Sequence, residues 1–299
     1  MSSRVLAFTA TSFAAVIYGL NFSIAKDVMP LYIKPFGFIA LRVVGASCFF
    51  WLIGLFLKNQ KIEKQDYKLI FAASFFGIAL NMLTFFKGLS YTSPINASVI
   101  MITSPILVLV FSSILLKEKL FFRKIAGIII GMSGALVLIL YGKGNGGDSK
   151  NIALGNLLVF INATSYALYL VIVRNIIQKY NPILFVKWLY FFGFLLVLPF
   201  GAAELLEVKW HLIPTAIYLK AGFVTLFATC FTYLFNLFAL SILKPTTVSV
   251  FIYLQPVIAT IYALLVGSDS LSIVKVIAVL LIFLGVYLAT KQSPTTTNK

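Results

Sequence analysis

The sequence predicts an all-α integral membrane protein whose ten transmembrane helices form two inverted five-helix repeats. Three observations carry that prediction. First, 61% of the 299 residues are hydrophobic, 11% are charged, and the mean hydropathy is +1.03. Soluble domains carry roughly 25% charged residues, and a soluble fold of this length leaves too much surface outside to hide so much apolar area. Second, the chain divides into apolar runs of about twenty residues, the length that crosses a bilayer's hydrocarbon core. Third, the second half repeats residues of the first at a fixed offset.

The runs fall at 7–29, 36–57, 68–88, 94–116, 122–141, 153–174, 182–203, 215–238, 245–267 and 272–290. The first is too long for the apolar stretch of a signal peptide and has only Arg4 ahead of it, so it reads as a helix. With the N-terminus placed in the cytoplasm and Arg42 inside a span, the remaining Lys and Arg divide 15 to 8 in favour of the inner loops. The densest clusters, at 58–68 and 117–124, lie on that side. Positive charge marks the cytoplasmic side, so both termini are expected there. Between the fifth and sixth runs stands GKGNGGDSK, four glycines in nine residues, a flexible connector. The expected organisation is a first repeat at 1–141, a Gly-rich linker at 142–152, a second repeat at 153–290 and a cytoplasmic tail at 291–299.

The repeat shows without a gap at an offset of 151, which pairs Pro94 with Pro245, Ser98 with Ser249, Pro105 with Pro256, Lys124 with Lys275 and Gly134 with Gly285. Pro94 and Pro245 open a span, where a missing N–H costs nothing. Pro105 and Pro256 sit in mid-span, where each removes a helix hydrogen bond and frees a carbonyl. They are candidate hinges. Five spans per copy force the second copy to enter from the opposite face, which makes the repeat inverted. Inverted repeats with interrupted helices at matching depths are a pattern of secondary transporters.

Composition and motifs also exclude functions. The net charge is +16, but no basic stripe with interleaved aromatics exists outside the spans, so nucleic acid is not expected as a partner. Cys48 and Cys230 lie in apolar runs and read as inert small hydrophobes; with one histidine, His211, in a predicted loop, no metal site and no cofactor are expected. A membrane-embedded enzyme would need a nucleophile, paired carboxylates or metal ligands at membrane depth. All eight acids fall at span ends or in loops, and neither HExxH nor GxSxG is present.

Polar groups inside a membrane are expensive and default to function. Tyr18, Asn21, Asn81, Asn162, Tyr166, Tyr169, Thr229, Tyr233, Tyr253 and Gln255 fall near the expected midplane. Together they suit a pocket for a small organic solute; singly, each reads equally well as interhelical glue. Lys26, Arg42, Lys87 and Arg174 fall towards span ends. They either line vestibules that attract anions or snorkel to the lipid headgroups. Gly127, Gly131 and Gly134 on the fifth run form a stripe for close packing or for a homodimer.

Several segments resemble one family. They are Tyr18-Gly19-Leu20-Asn21-Phe22 followed by Lys26, Leu41-Arg42, ASVIMITSPILVLVFSSILLKEKL at 97–120, GIIIGMSGALVL at 127–138, and ATSYALYLVIVR at 163–174, together with 249–285. In their order and duplication they resemble the drug/metabolite transporter superfamily, in particular its EamA-like permeases with two repeated domains. The resemblance implies a ten-helix, basket-shaped carrier of metabolites or drugs in the bacterial inner membrane. It leaves the substrate open. Asp269 stands where the family usually has Glu; both acids suit a cap on the helix that follows. No acid lies in mid-span to load a proton, so facilitated transport or exchange is expected. The alternatives are an ion-coupled carrier of the same fold or a membrane-embedded enzyme.

Overall fold

A computed structural model describes residues 3–56, 61–115, 122–141, 151–243 and 245–290. The described residues contain helices and no strand. The helices are α1 (Ser3–Val28), α2 (Pro35–Gly54), α3 (Lys64–Tyr91), α4 (Pro94–Leu115), α5 (Phe122–Tyr141), α6 (Ile152–Ile176), α7 (Pro182–Leu206), α8 (Thr215–Ile242), α9 (Thr247–Leu265) and α10 (Ile273–Thr290). Eight of them are long and apolar enough to cross a membrane; α5 and α10 contribute the shorter apolar stretches Ile125–Tyr141 and Ile273–Gly285. Most of the linker expected at 142–152, the tail at 291–299 and Glu118 lie outside the described residues.

Local chemistry sets the helix starts. Pro35, Pro94 and Pro182 occupy first-turn positions. The Ser93 hydroxyl accepts from the Asn96 N–H at 3.3 Å, and Asn181 Oδ1 accepts from the Ile183 N–H at 2.9 Å. These caps satisfy amides that have no partner within their own helix. At the α6–α7 turn, Lys179 reaches Glu63 at 2.7 Å and Asp66 at 2.8 Å. The hydrogen bond from Lys179 holds the Glu63 carboxyl below its ordinary range.

The helices break at matching places. A π-helical segment, Phe75–Ala79, interrupts α3, and another, Leu226–Phe231, interrupts α8. Their first residues, 75 and 226, are one repeat offset apart. In α4 the helix gives way at Ile102 and Thr103, whose amides turn back to Val99 and Ile100 at 3.1 and 3.0 Å. In the second half the equivalent residues lie at and beside the 3₁₀ turn Phe251–Tyr253. Each break directly precedes one of the paired prolines. The carbonyls exposed by the first π segment find side chains from other helices: Ser165 donates to the Phe76 carbonyl at 2.6 Å, and the Tyr233 hydroxyl to the Gly77 carbonyl.

Packing follows the same pairing. α1 packs on α8 and α9, and α6 packs on α3 and α4; α2 meets α7, and α5 meets α10. Exchanging the halves maps this set onto itself. The α5–α10 contact uses the glycine stripe. A Cβ on Gly285 would lie 2.4 Å from the Gly131 Cα and 2.6 Å from the Gly127 carbonyl oxygen. Only hydrogen atoms fit there, which lets the backbones touch. The stripe thus serves close packing within the chain, one of the two uses expected of it. Large apolar side chains such as Phe13, Leu52, Ile129, Leu195 and Leu280 point outward, as they do where lipid is the solvent.

Candidate functional site

The two π segments and the two helix breaks surround a cavity between the halves. On α1, Tyr18 and Asn21 stand one turn apart on a single face, with Phe22 beside them. α3 adds Asn81 and, one turn on, Phe85; α6 adds Asn162 and Tyr166, again one turn apart. Tyr233 comes from α8, just past its π segment, and Gln255 from α9, beside Pro256. The apolar wall is completed by Met82, Phe86, Met101 and Ala228. Asn162 donates to the Asn81 carbonyl at 2.8 Å, and Asn81 to the Asn162 carbonyl at 3.4 Å, tying α3 to α6 across the wall. The cavity measures about 70 Å³, room for a handful of waters.

Seven of the ten expected pocket residues line this space. The other three stand behind it. The Tyr169 ring lies over Gly77, where there is no Cβ to obstruct it, and contacts the rings of Tyr166 and Tyr233. Thr229 supports Arg42, and Tyr253 packs on Phe283 with ring centres 5.8 Å apart. Pro105 and Pro256 shape the breaks; neither lines the cavity.

The four cations occupy different settings. Arg42 is buried at 3% exposure in the cavity wall. Its Nε and one terminal nitrogen, Nη2, donate to Thr229 Oγ1 at 2.9 and 2.7 Å, while Thr229 donates to the Val224 carbonyl at 2.9 Å. The Phe86 ring centre lies 4.3 Å from the guanidinium carbon. Lys26 donates to the Leu89 carbonyl at 3.2 Å and to the Thr92 carbonyl, closing the end of α3. Lys87 lies over the rings of Tyr91 and Phe36, at 4.8 and 5.5 Å. Arg174 is half-buried near the other end of α6.

A polar cluster absent from the sequence-based expectations seals one end of the bundle. The Asp269 and Lys275 side chains, 0% and 1% exposed, meet at 2.8 Å. Asp269 also accepts from the Ile95 N–H at 3.1 Å. It therefore caps α4, a helix of the other half, and meets the helix that follows it through the Lys275 side chain. Thr92 bonds to Asn156, which donates to the Leu138 carbonyl at 2.8 Å. The sequence signal was the Lys124–Lys275 match and the acid at Asp269; a loop acid otherwise defaults to solvent. Among the described residues no group of His, Cys, Asp and Glu is placed to hold a metal ion.

The model of the EamA-like transporter family matches residues 6–140 and, a second time, residues 153–291. The chain belongs to the EamA-like transporter family. Among its relatives is an "uncharacterized transporter" of Archaeoglobus fulgidus, 26% identical over 290 residues, covering 96% of this chain and 98% of that protein. The "uncharacterized transporter YyaM" of Bacillus subtilis is 26% identical, covering 92% and 90% of the two chains. A WAT1-related protein of Arabidopsis thaliana is 25% identical, covering 91% and 79%. A solved crystal structure shares the fold over 97% of each chain, with a TM-score of 0.64 and 18% identity. This EamA-like chain is thus a multi-pass membrane protein of a transporter family.

Proposed function

We propose that the protein carries a small organic solute across the cytoplasmic membrane by alternating access, as facilitated transport or exchange. The observation that carries this reading is the central cavity, to which helices of both halves contribute polar and aromatic side chains. At about 70 Å³ it is too small for a metabolite, so a bound solute requires the halves to part. The paired helix breaks at Pro105 and Pro256 supply places for that bending, since π segments and prolines leave carbonyls outside the regular ladder. On this reading the ten helices span the membrane as two inverted repeats with both termini in the cytoplasm, and the Asp269 cluster shuts the outer mouth. Among the described residues the cavity lining contains neither acid nor histidine, which favours a carrier driven by its solute's own gradient.

Solute counterflow in liposomes tests the reading. Liposomes containing the purified protein and loaded with unlabelled solute should transiently accumulate labelled solute above its external concentration, because a carrier exchanges through a bound state. Simple equilibration of label for every solute that enters would mean a channel and sink the proposal.

A further inference from the structure

We infer that the transported solute is an organic monoanion, a carboxylate on an apolar or aromatic body, and that Arg42 binds its charge. The inference rests on the transport reading and names its substrate class. Arg42 is held in the cavity wall with Nε and Nη2 both committed to Thr229. Its third nitrogen, Nη1, is buried without a partner. Arginine stays charged in proteins, and a buried charge is costly unless it is paired and fully hydrogen-bonded. Among the described residues no carboxylate stands within ion-pair distance of Arg42. The ring of Phe86 offers its negative face to the cation but accepts no hydrogen bond from Nη1. The arrangement lacks one thing, an anionic acceptor at Nη1.

The rest of the wall limits what carries that acceptor. Among the described residues Arg42 is the only cation lining the cavity, so one negative charge is matched and a second is left bare. That favours a carboxylate over a phosphate monoester dianion. Thr229 takes the Nε N–H and one N–H of Nη2, which leaves the second Nη2 N–H and those of Nη1 as a fork for a carboxylate. Phe22, Phe85, Met82 and Met101 then surround the remainder of the solute, which suits an apolar body. The Thr229 hydroxyl fixes the direction of the guanidinium and is a positioning residue.

The test uses the full-length purified protein with four probes of one shape: phenylacetate, phenylacetamide, 2-phenylethylammonium and phenyl phosphate. Thermal stabilisation in detergent and counterflow in liposomes are both read. Phenylacetate should bind at least tenfold more tightly than the amide, with the ammonium excluded and phenyl phosphate weaker than phenylacetate. Arg42→Gln should abolish the preference for the carboxylate over the amide while keeping its melting temperature without ligand. If that variant does not fold, the wild-type ranking decides alone, and Thr229→Val should weaken phenylacetate without inverting the order. Equal binding of carboxylate and amide, or failure of phenylacetate to bind, overturns the inference. Counterflow of a neutral or cationic solute overturns it too but leaves the transport reading standing. Binding of phenylacetate with no counterflow of any solute sinks the transport reading and leaves the site.

Discussion

Asp269→Asn probes the charge pair that closes one end of the bundle. The substitution preserves shape, but the Ile95 N–H reaches one native carboxylate oxygen, Oδ2, at 3.1 Å and the Ser270 N–H the other, Oδ1, at 2.7 Å, so the single amide oxygen keeps one of the two donors. What is lost is the negative charge opposite Lys275 and one backbone acceptor. Both side chains are essentially unexposed, so water does not screen the loss as it does for a surface pair. Removing one partner of a buried pair costs about 3–5 kcal/mol. Lys275 keeps its bond to the Ser270 carbonyl at 2.6 Å, which puts the expectation near the low end, about 3 kcal/mol. Lys275→Met should cost less, because the orphaned carboxylate retains the Ile95 N–H at the N-terminus of α4 and the Ser270 N–H of its own turn. The double variant should be less destabilised than the two losses added, since it leaves neither buried charge without its partner. Unfolding midpoints in mixed micelles, arranged as a double-mutant cycle, measure all three. An Asp269→Asn protein within 1 kcal/mol of wild type, or a double variant as unstable as the two losses added, would refute the reasoning; the first threshold is roughly the ceiling for an exposed pair.

Other substitutions probe the packing and the hinges. Gly285→Ala places a methyl against the Gly131 backbone at 2.3–2.4 Å, so α10 must move; a loss of about 1–3 kcal/mol is expected from the same unfolding assay, and an unchanged midpoint would mean that α5 and α10 do not touch there. Pro105→Ala and Pro256→Ala should slow solute exchange more than they lower the yield of folded protein; wild-type exchange in both would reduce the prolines to static kinks. A reporter active only in the periplasm, fused after Lys299, should stay silent, and activity would reverse the assigned topology.

Much of the cavity lining was legible because polar side chains within a lipid-embedded run have few other reasons to be there. Tyr18, Asn21, Asn81, Asn162, Tyr166, Tyr233 and Gln255 stand out that way and line the cavity. Tyr169 was misplaced because one helical turn after Tyr166 it meets the π segment of α3, and the open space above Gly77 draws the ring there. A π segment has no side-chain periodicity of its own, so neither it nor the direction it gives Thr229 and Tyr233 could be read in advance. Arg42 looked terminal from its place near the start of a run. At about 1.5 Å per residue it lies roughly 10 Å into α2, deep enough to be buried. Asp269 illustrates the opposite failure. A turn acid has no apolar pattern around it, and only the close approach of α4's N-terminus from the other half explains its burial.

The central claim is that one cavity serves both faces of the membrane, and its most direct test is two-sided access to Asn81. In a background with Cys48→Ser and Cys230→Ala, Asn81→Cys puts a single thiol in the cavity wall. A membrane-impermeant thiol reagent is then applied to right-side-out and to inside-out vesicles. The account predicts modification from each face, slowed from both by a solute that shows counterflow. Modification from one face only, with or without that solute, would contradict it.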